Sequence, residues 1–329
     1  MRRRDILRAL ATTAAWPALA HAQGPTLRRL GILMGARGAN DPEGQERIAV
    51  VRNEPRALGW EEGRNLHIEL RWAAGDQARI EAHAQELIRL APDVILANST
   101  AAVAALARAT RTIPIIVAQI VDPVGLGFVE SLARPGGNIT GFTVVDLDLV
   151  AKWVDILKEA VPSVQRTALL FNPASTPYYV GFLRKLEGSR RPGAVSVTAA
   201  PVQTAAEIEP AIAAVAREPG GGLIVPPNPF IGANRKLVAE AAQKHRLPSV
   251  GVSRDYAIAG GLISYGPDFD DIIRRSTHYV DRVLKGASPA DLPVQAPTRY
   301  GLVVNLRAAQ TMGLEVAPSL LARADEVIE

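Results

Sequence analysis

Cysteine is absent from all 329 residues. That excludes disulfides, thiolate metal sites and cysteine nucleophiles. It is compatible with an oxidising compartment without demanding one. Histidine is scarce: His21, His67, His83, His245 and His278 are scattered along the chain, with no metal-ligand spacing. HExxH and GxxxxGK[ST] do not occur, which removes the common zinc-protease and phosphate-cradling motifs. Gly125-Leu126-Gly127 opens like a dinucleotide fingerprint, but Glu130 stands where the third glycine belongs. Ser253, in the run from Gly251 to Asp255, departs from a GxSxG elbow at the last glycine, and no histidine is placed to serve as its base. Asp146 and Asp148 read as a solvated helix start rather than an acid/base pair. No cofactor or metal is expected. The excess of positive charge is small and lies mostly at the N-terminus. Residues 1–22 hold four of the 37 basic and one of the 33 acidic residues, leaving 33 and 32. That balance argues against a nucleic-acid partner, which needs a clustered basic face.

What is present is a hydrophobic chain (48% hydrophobic, 21% charged) with room for two domains. Residues 1–22 read as a cleaved export signal: a charged start (Arg2, Arg3, Arg4, Arg8), an apolar stretch from Ala9 to Leu19, and Ala20-His21-Ala22 before the cut. Arg3-Arg4 fits a twin-arginine signal or an arginine-rich general secretory one. Cysteine does not follow the cut, so no lipoprotein anchor is available. No other stretch is long and apolar enough to span a bilayer. The mature chain is expected to be soluble, periplasmic and not membrane-inserted.

Residues 93–143 set the grammar. A strand-like run (Asp93 to Ala97) ends in Asn98-Ser99-Thr100. A helix from Ala101 to Thr110 follows, and a second strand (Ile115 to Ala118) leads to Asp122-Pro123. This is a βαβ unit with parallel strands, and ligands of open parallel sheets bind beyond the strand C-termini. Ser99 and Thr100 suit an anion at a helix start and Asp122 suits a cation, so the pair suits a zwitterion such as an amino acid. Singly, Ser99 also reads as a plain helix cap and Asp122 as a turn residue before proline. Val124 to Leu132 is a short helix candidate. Ile139 to Val145 is a strand whose exit marks a crossing between domains. Strand and helix then alternate again from Arg166 to Tyr265, with polar strand ends at Asn172 to Thr176, Pro226 to Phe230 and Ser253 to Tyr256. A long amphipathic helix is expected from Asp268 to Leu284, then a strand at Leu302 to Val304 and a helix around Arg307 to Met312.

Several stretches match a known pattern: ALGWEEGRNLHIELRWAAGDQARI, IPIIVAQIVDPVGLGFVESLARPGGNITGF, LLFNPASTPY, AIAGGLISYGPDFDDIIRRSTHYVDRVLKG and ADLPVQAPTRYGLVVNLRAAQTMGL. Through them the mature chain resembles the periplasmic substrate-binding proteins of ABC transporters, in the family that includes the tryptophan- and tyrosine-binding members. The resemblance implies an α/β fold of type I periplasmic binding protein kind, with two Rossmann-like parallel-sheet lobes joined by hinge strands. Residues 27–143 would form the first lobe, completed by part of 266–329, and residues 144–265 the second. The return helix and C-terminal elements would span both. It implies a monomer that closes on a small ligand, of amino-acid or carboxylate class, and passes it to an ABC permease. The cleft would be lined by Gly35, Ala36, Asn98, Ser99, Thr100 and Asp122 from one lobe, and by Asn172, Ser175, Thr176, Asn228 and Asp255 from the other. Tyr178, Phe230 and Tyr256 are candidates to stack on an aromatic ligand or to pack the fold. The first loop, from Gly35 to Asn40, is charged where such proteins often carry serine and glycine. An arginine-rich, proline-interrupted helix after it is a second departure. The alternatives are a receptor feeding a signalling protein and an exported α/β hydrolase using Ser253.

Overall fold

The computed structural model describes residues 27–145, 147–189 and 193–329. The expected export signal lies outside them, as do Asp146 and the side chain of Asp148. Strands whose faces are both covered by helices must be apolar throughout, and the inner strands here, such as Val94–Ala97 and Gly221–Val225, are, while the edge strands Leu66–Trp72 and Ser196–Pro201 carry polar or exposed residues. The first sheet contains β1 (Arg28–Met34), β2 (Leu66–Trp72), β3 (Val94–Ala97), β4 (Ile115–Val121) and β5 (Ile139–Val145), connected through α1 (Pro42–Ala57), α2 (Gln77–Arg89) and α3 (Thr100–Ala109). All its pairings are parallel, in the order β2-β1-β3-β4-β5. Leu30, Ile32, Leu33, Val94, Ile95, Ile115 and Ile116 are fully buried along it.

After β5 the chain enters a second sheet through α4 (Leu147–Ala160). The strands β6 (Arg166–Phe171), β7 (Ser196–Pro201), β8 (Gly221–Val225), β9 (Ser249–Gly251) and β10 (Ile263–Pro267) alternate with α5 (Tyr178–Ser189), α6 (Ala205–Ala216), α7 (Pro229–Ala233), α8 (Arg235–Lys244) and α9 (Arg254–Ile258). The order β7-β6-β8-β9-β10 repeats the plan of the first sheet. Next, α10 (Phe269–Leu284) returns to pack on α1, β3, β4 and β5. Residues beyond it stay with the first sheet: Gln295 N–H donates to Gly141 O (2.9 Å) and Thr143 N–H to Gln295 O (2.9 Å). Finally β11 (Tyr300–Asn305), α11 (Leu306–Met312), α12 (Pro318–Leu321) and β12 (Glu326–Ile328) join the second sheet, where β11 runs antiparallel to β10. The chain thus crosses between lobes three times: after β5, between β10 and α10, and between Gln295 and β11.

Two local expectations change. Helix α1 starts at Pro42, where Asp41 caps it by accepting from Gly44 N–H (3.0 Å), and Pro55 does not interrupt it, since it runs on to Ala57. Val124 to Leu132 forms no helix. Gly125 and Gly127 turn it into successive tight turns, with Leu126 N–H on Asp122 O and Phe128 N–H on Pro123 O.

Candidate functional site

In the strand order 2-1-3-4-5 the connections leave β1 in opposite directions, and a crevice opens between the ends of β1 and β3. Ala36 and Arg37 follow β1, and Ser99 and Thr100 follow β3. The matching point of the second sheet lies between β6 and β8, and Pro226 to Pro229 follow β8. These two crevices face each other across a cavity whose wall comes from both lobes. The cavity admits the centres of water-sized spheres over ≈ 70 Å³, several times the ~10–15 Å³ that one water needs. Most of the wall is apolar: Val121, Val144, Val225, Val252, Ile231, Tyr178 and Phe269 all contribute. Its charged members are Arg37, Arg47 and Arg235.

Of the residues read as cleft-lining from sequence, Ala36, Ser99, Thr100 and Asn228 line this cavity. Ser99 caps α3, its Oγ accepting from Ala102 N–H (3.1 Å), and Thr100 Oγ1 accepts from Val121 N–H (2.9 Å). Gly35 stands just behind, where a Cβ would come within 2.3 Å of Ser99 Oγ, so only glycine lets β1 and Ser99 approach this closely. Asn98 is buried beneath the wall rather than in it. Asn172, Ser175 and Thr176 form a support under the second-lobe wall. Asn172 Oδ1 accepts from Ala174 N–H (2.9 Å) and Ser175 N–H (3.2 Å), and Thr176 Oγ1 donates to Asn172 O (2.9 Å). Thr176 Oγ1 also accepts from Asn228 Nδ2 (2.6 Å), while Asn228 Oδ1 accepts from Ile231 N–H (2.9 Å). Asn228 is therefore held by its own scaffold.

The expectation for Asp122 is corrected. It lies outside the cavity wall, in the left-handed region (φ 43°), with its carboxylate turned back to accept from Gly125 N–H (3.0 Å). Lys185 of the other lobe stands 3.9 Å from it. Among the three aromatic candidates, Tyr178 and Tyr256 reach the wall and Phe230 does not. Tyr256 is packed, its hydroxyl donating to Ser249 Oγ (2.8 Å). Tyr178 bridges the lobes: burial pushes its phenol above the ordinary range, and a hydrogen bond with Thr100 opposes the shift. Ser253 lines the cavity, but none of the described histidines does.

The residues missed by sequence reading are the arginines. Arg37 follows β1 and Arg47 lies on α1, and both are only 5% exposed. The charge in the first loop and the arginine-rich helix, noted above as departures, were the available signals. Arg37 pairs with Asp255 of the second lobe and with Glu43 (2.7 Å). Arg47 pairs with Glu43 and lies 3.7 Å from Asp255, its guanidinium 5.2 Å from the centre of the Phe269 ring. Arg235 meets Asp41 across the lobes at 2.9 Å. Asp255 is thus a strut between the lobes, paired with the arginines and outside the cavity wall. Burial, and then the hydrogen bond it shares with Asp255, push the Glu43 carboxyl up to about 8, against Arg47 and Arg37. For Asp255 burial acts upward too, but Glu43, Arg47, Arg37 and Arg235 together hold it below the usual carboxylate range.

Comparisons with known proteins agree with this geometry. A family model described as "ABC transporter substrate binding protein" matches residues 50–328. The chain is 25% identical over 247 residues to a tyrosine-binding protein of Clostridioides difficile, covering 75% of this chain and 70% of that protein. Among solved structures it is similar to a conserved domain protein from Vibrio cholerae, with TM-score 0.82 and 25% identity, over 92% of this chain and 100% of that one. It is also similar in fold to an ABC domain in complex with L-Trp from Streptococcus pneumoniae, with TM-score 0.80 and 24% identity, over 92% and 100%.

Proposed function

The chain belongs to the ABC transporter substrate-binding protein family, a family of binding components rather than enzymes, and from that premise we propose that it captures its solute in the cavity between the lobes. The observation that carries this is the wall itself, built from the crevices of both sheets and crossed by ion pairs. A ligand that touches both lobes is bound fully only when they are together, so binding shifts the population toward the closed form. Ala36, Ser99, Thr100, Tyr178, Asn228 and the three arginines are the contact residues of this reading, with Asn172, Ser175 and Thr176 as its support. The closed molecule then meets a membrane permease. An extracytoplasmic location accords with the N-terminal sequence and with the family, and no helix of the described residues is long and apolar enough to cross a membrane. Relatives named for tyrosine and crystallised with L-Trp make an amino acid or a related carboxylate the class to begin from.

The test is a thermal-shift series on residues 23–329, unfolded and refolded to remove carried-over solute, against amino acids, aromatic acids and small carboxylates. Binding to the native state alone raises the midpoint by mass action. A saturable rise with one chemical class is expected, accompanied by a smaller radius of gyration in solution scattering. A flat response to every class would sink the reading.

A further inference from the structure

On the reading that the interlobe cavity holds the solute, we propose that the solute is a compact carboxylate with an apolar body and no ammonium group, gripped by Arg37 and Arg47. An α-amino acid needs acceptors for its ammonium as well as donors for its carboxylate. The charged groups of the described wall are donors. Its charged side chains are guanidinium groups, and no aspartate or glutamate among the described residues lines it. Asp41, Glu43 and Asp255 touch these arginines, yet none of the three lines the cavity.

The arginines are also left with unused hydrogen-bonding capacity. Arg37 Nε and Arg47 Nε are buried and make no hydrogen bond within the protein, Arg37 Nη1 has only the Asp41 carboxylate at 3.6 Å, and Gln119 Nε2, on the same wall, makes none. Buried donors are costly to leave unpaired, and native interiors rarely do so. The amide of Asn228, by contrast, is spent on Thr176 and Ile231. Ser99 Oγ already accepts from Ala102 N–H, which leaves its hydroxyl hydrogen to donate. An incoming acceptor with two oxygens satisfies this set, because the planar guanidinium matches a carboxylate geometrically. An ammonium in the same space meets three guanidinium groups and no carboxylate on the described wall. The rest of the wall fixes the other end of the ligand: Val121, Val144, Val225, Val252 and Tyr178 offer a surface for hydrocarbon.

The experiment is calorimetric titration of the stripped full-length mature protein with two matched sets. One is 4-methylpentanoate, leucine and 4-methylpentanamide; the other is 3-phenylpropanoate, phenylalanine and 3-phenylpropanamide. In at least one set the free acid is expected to bind about tenfold or more tightly than both its amino acid and its amide, since charge-assisted hydrogen bonds carry the difference. Arg37→Gln should abolish that preference, and Arg37→Lys, which keeps the charge and the interlobe pair, should retain part of it. An amino acid or an amide binding as tightly as the acid overturns this proposal and leaves the cavity as a ligand site. No binding by any of the six, with a midpoint unaltered across the wider carboxylate and amino-acid series, overturns both.

Discussion

Burial pushes the Glu43 carboxyl far from its ordinary behaviour. It faces Arg37, Arg47 and Asp255, with Arg235 and Asp41 completing the surrounding charges. A carboxyl raised from 4.5 to about 8 takes up a proton on folding. The stability this contributes is complete below about pH 4.5 and is lost as pH rises to about 8. The melting midpoint should therefore fall between pH 5 and 8. Glu43→Gln, which stays neutral at every pH, should flatten that fall, and calorimetry across the range checks it. An unaltered slope in the variant would place the titration on another group. This residue also shows what sequence reading could and could not reach. Ser99 was legible because a cap is a local device, written in the three residues around it. Arg37 was not, because its partner Asp255 lies 218 residues away. Asp122 misled for a related reason: a polar residue after a strand looks the same whether it faces a ligand or closes a turn before proline.

At the level of elements, closure depends on how nearly the β2–α2 turn can approach α7. At Gly75 (φ 76°) a Cβ would stand 2.6 Å from Pro229 O, across the lobe boundary. Gly63 has a similar backbone (φ 85°) and open space around it. Alanine at either position should cost about 1 kcal/mol or more through the left-handed conformation. Only Gly75→Ala should also weaken ligand binding, by about tenfold, because it keeps the lobes apart. Equal affinities in the two variants would show that the contact does not limit closure. The return helix α10 makes a separate point. Asp268 caps it by accepting from Asp270 N–H (3.1 Å) and Asp271 N–H (3.0 Å), and its face of Ile272, Ile273, Val280 and Leu284 is buried. Asp268→Ala should cost about 1 kcal/mol of stability, measured by denaturant titration, with binding unimpaired. An element with a long apolar stripe and a cap, such as α10, was readable from periodicity. Val124 to Leu132 was not, since its apolar spacing competes with two glycines that prefer turns.

Across the whole molecule, each sheet alone was recognisable, and so was the repetition of plan, because buried parallel strands are apolar runs with polar ends. What the strand pattern did not carry was how the two crevices meet, which rests on pairs such as Asp41–Arg235 and Arg37–Asp255. The three crossings tie the lobes together, and α10 seals the first lobe from beyond the second. A single calorimetric transition is therefore expected, with equal calorimetric and van't Hoff enthalpies. Two resolved transitions would mean that the lobes melt independently.

The path of α10 also sets an order of assembly. The chain is made from its N-terminus, and the elements β1 to β5 emerge first. Their covering helix is synthesised only at Phe269–Leu284, and Gln295 completes the edge of β5 later still. Strands β6 to β10 will all have appeared by then. The half that is begun first is therefore covered only after five strands of the other have appeared, so part of its apolar face stays open until most of the polypeptide has emerged.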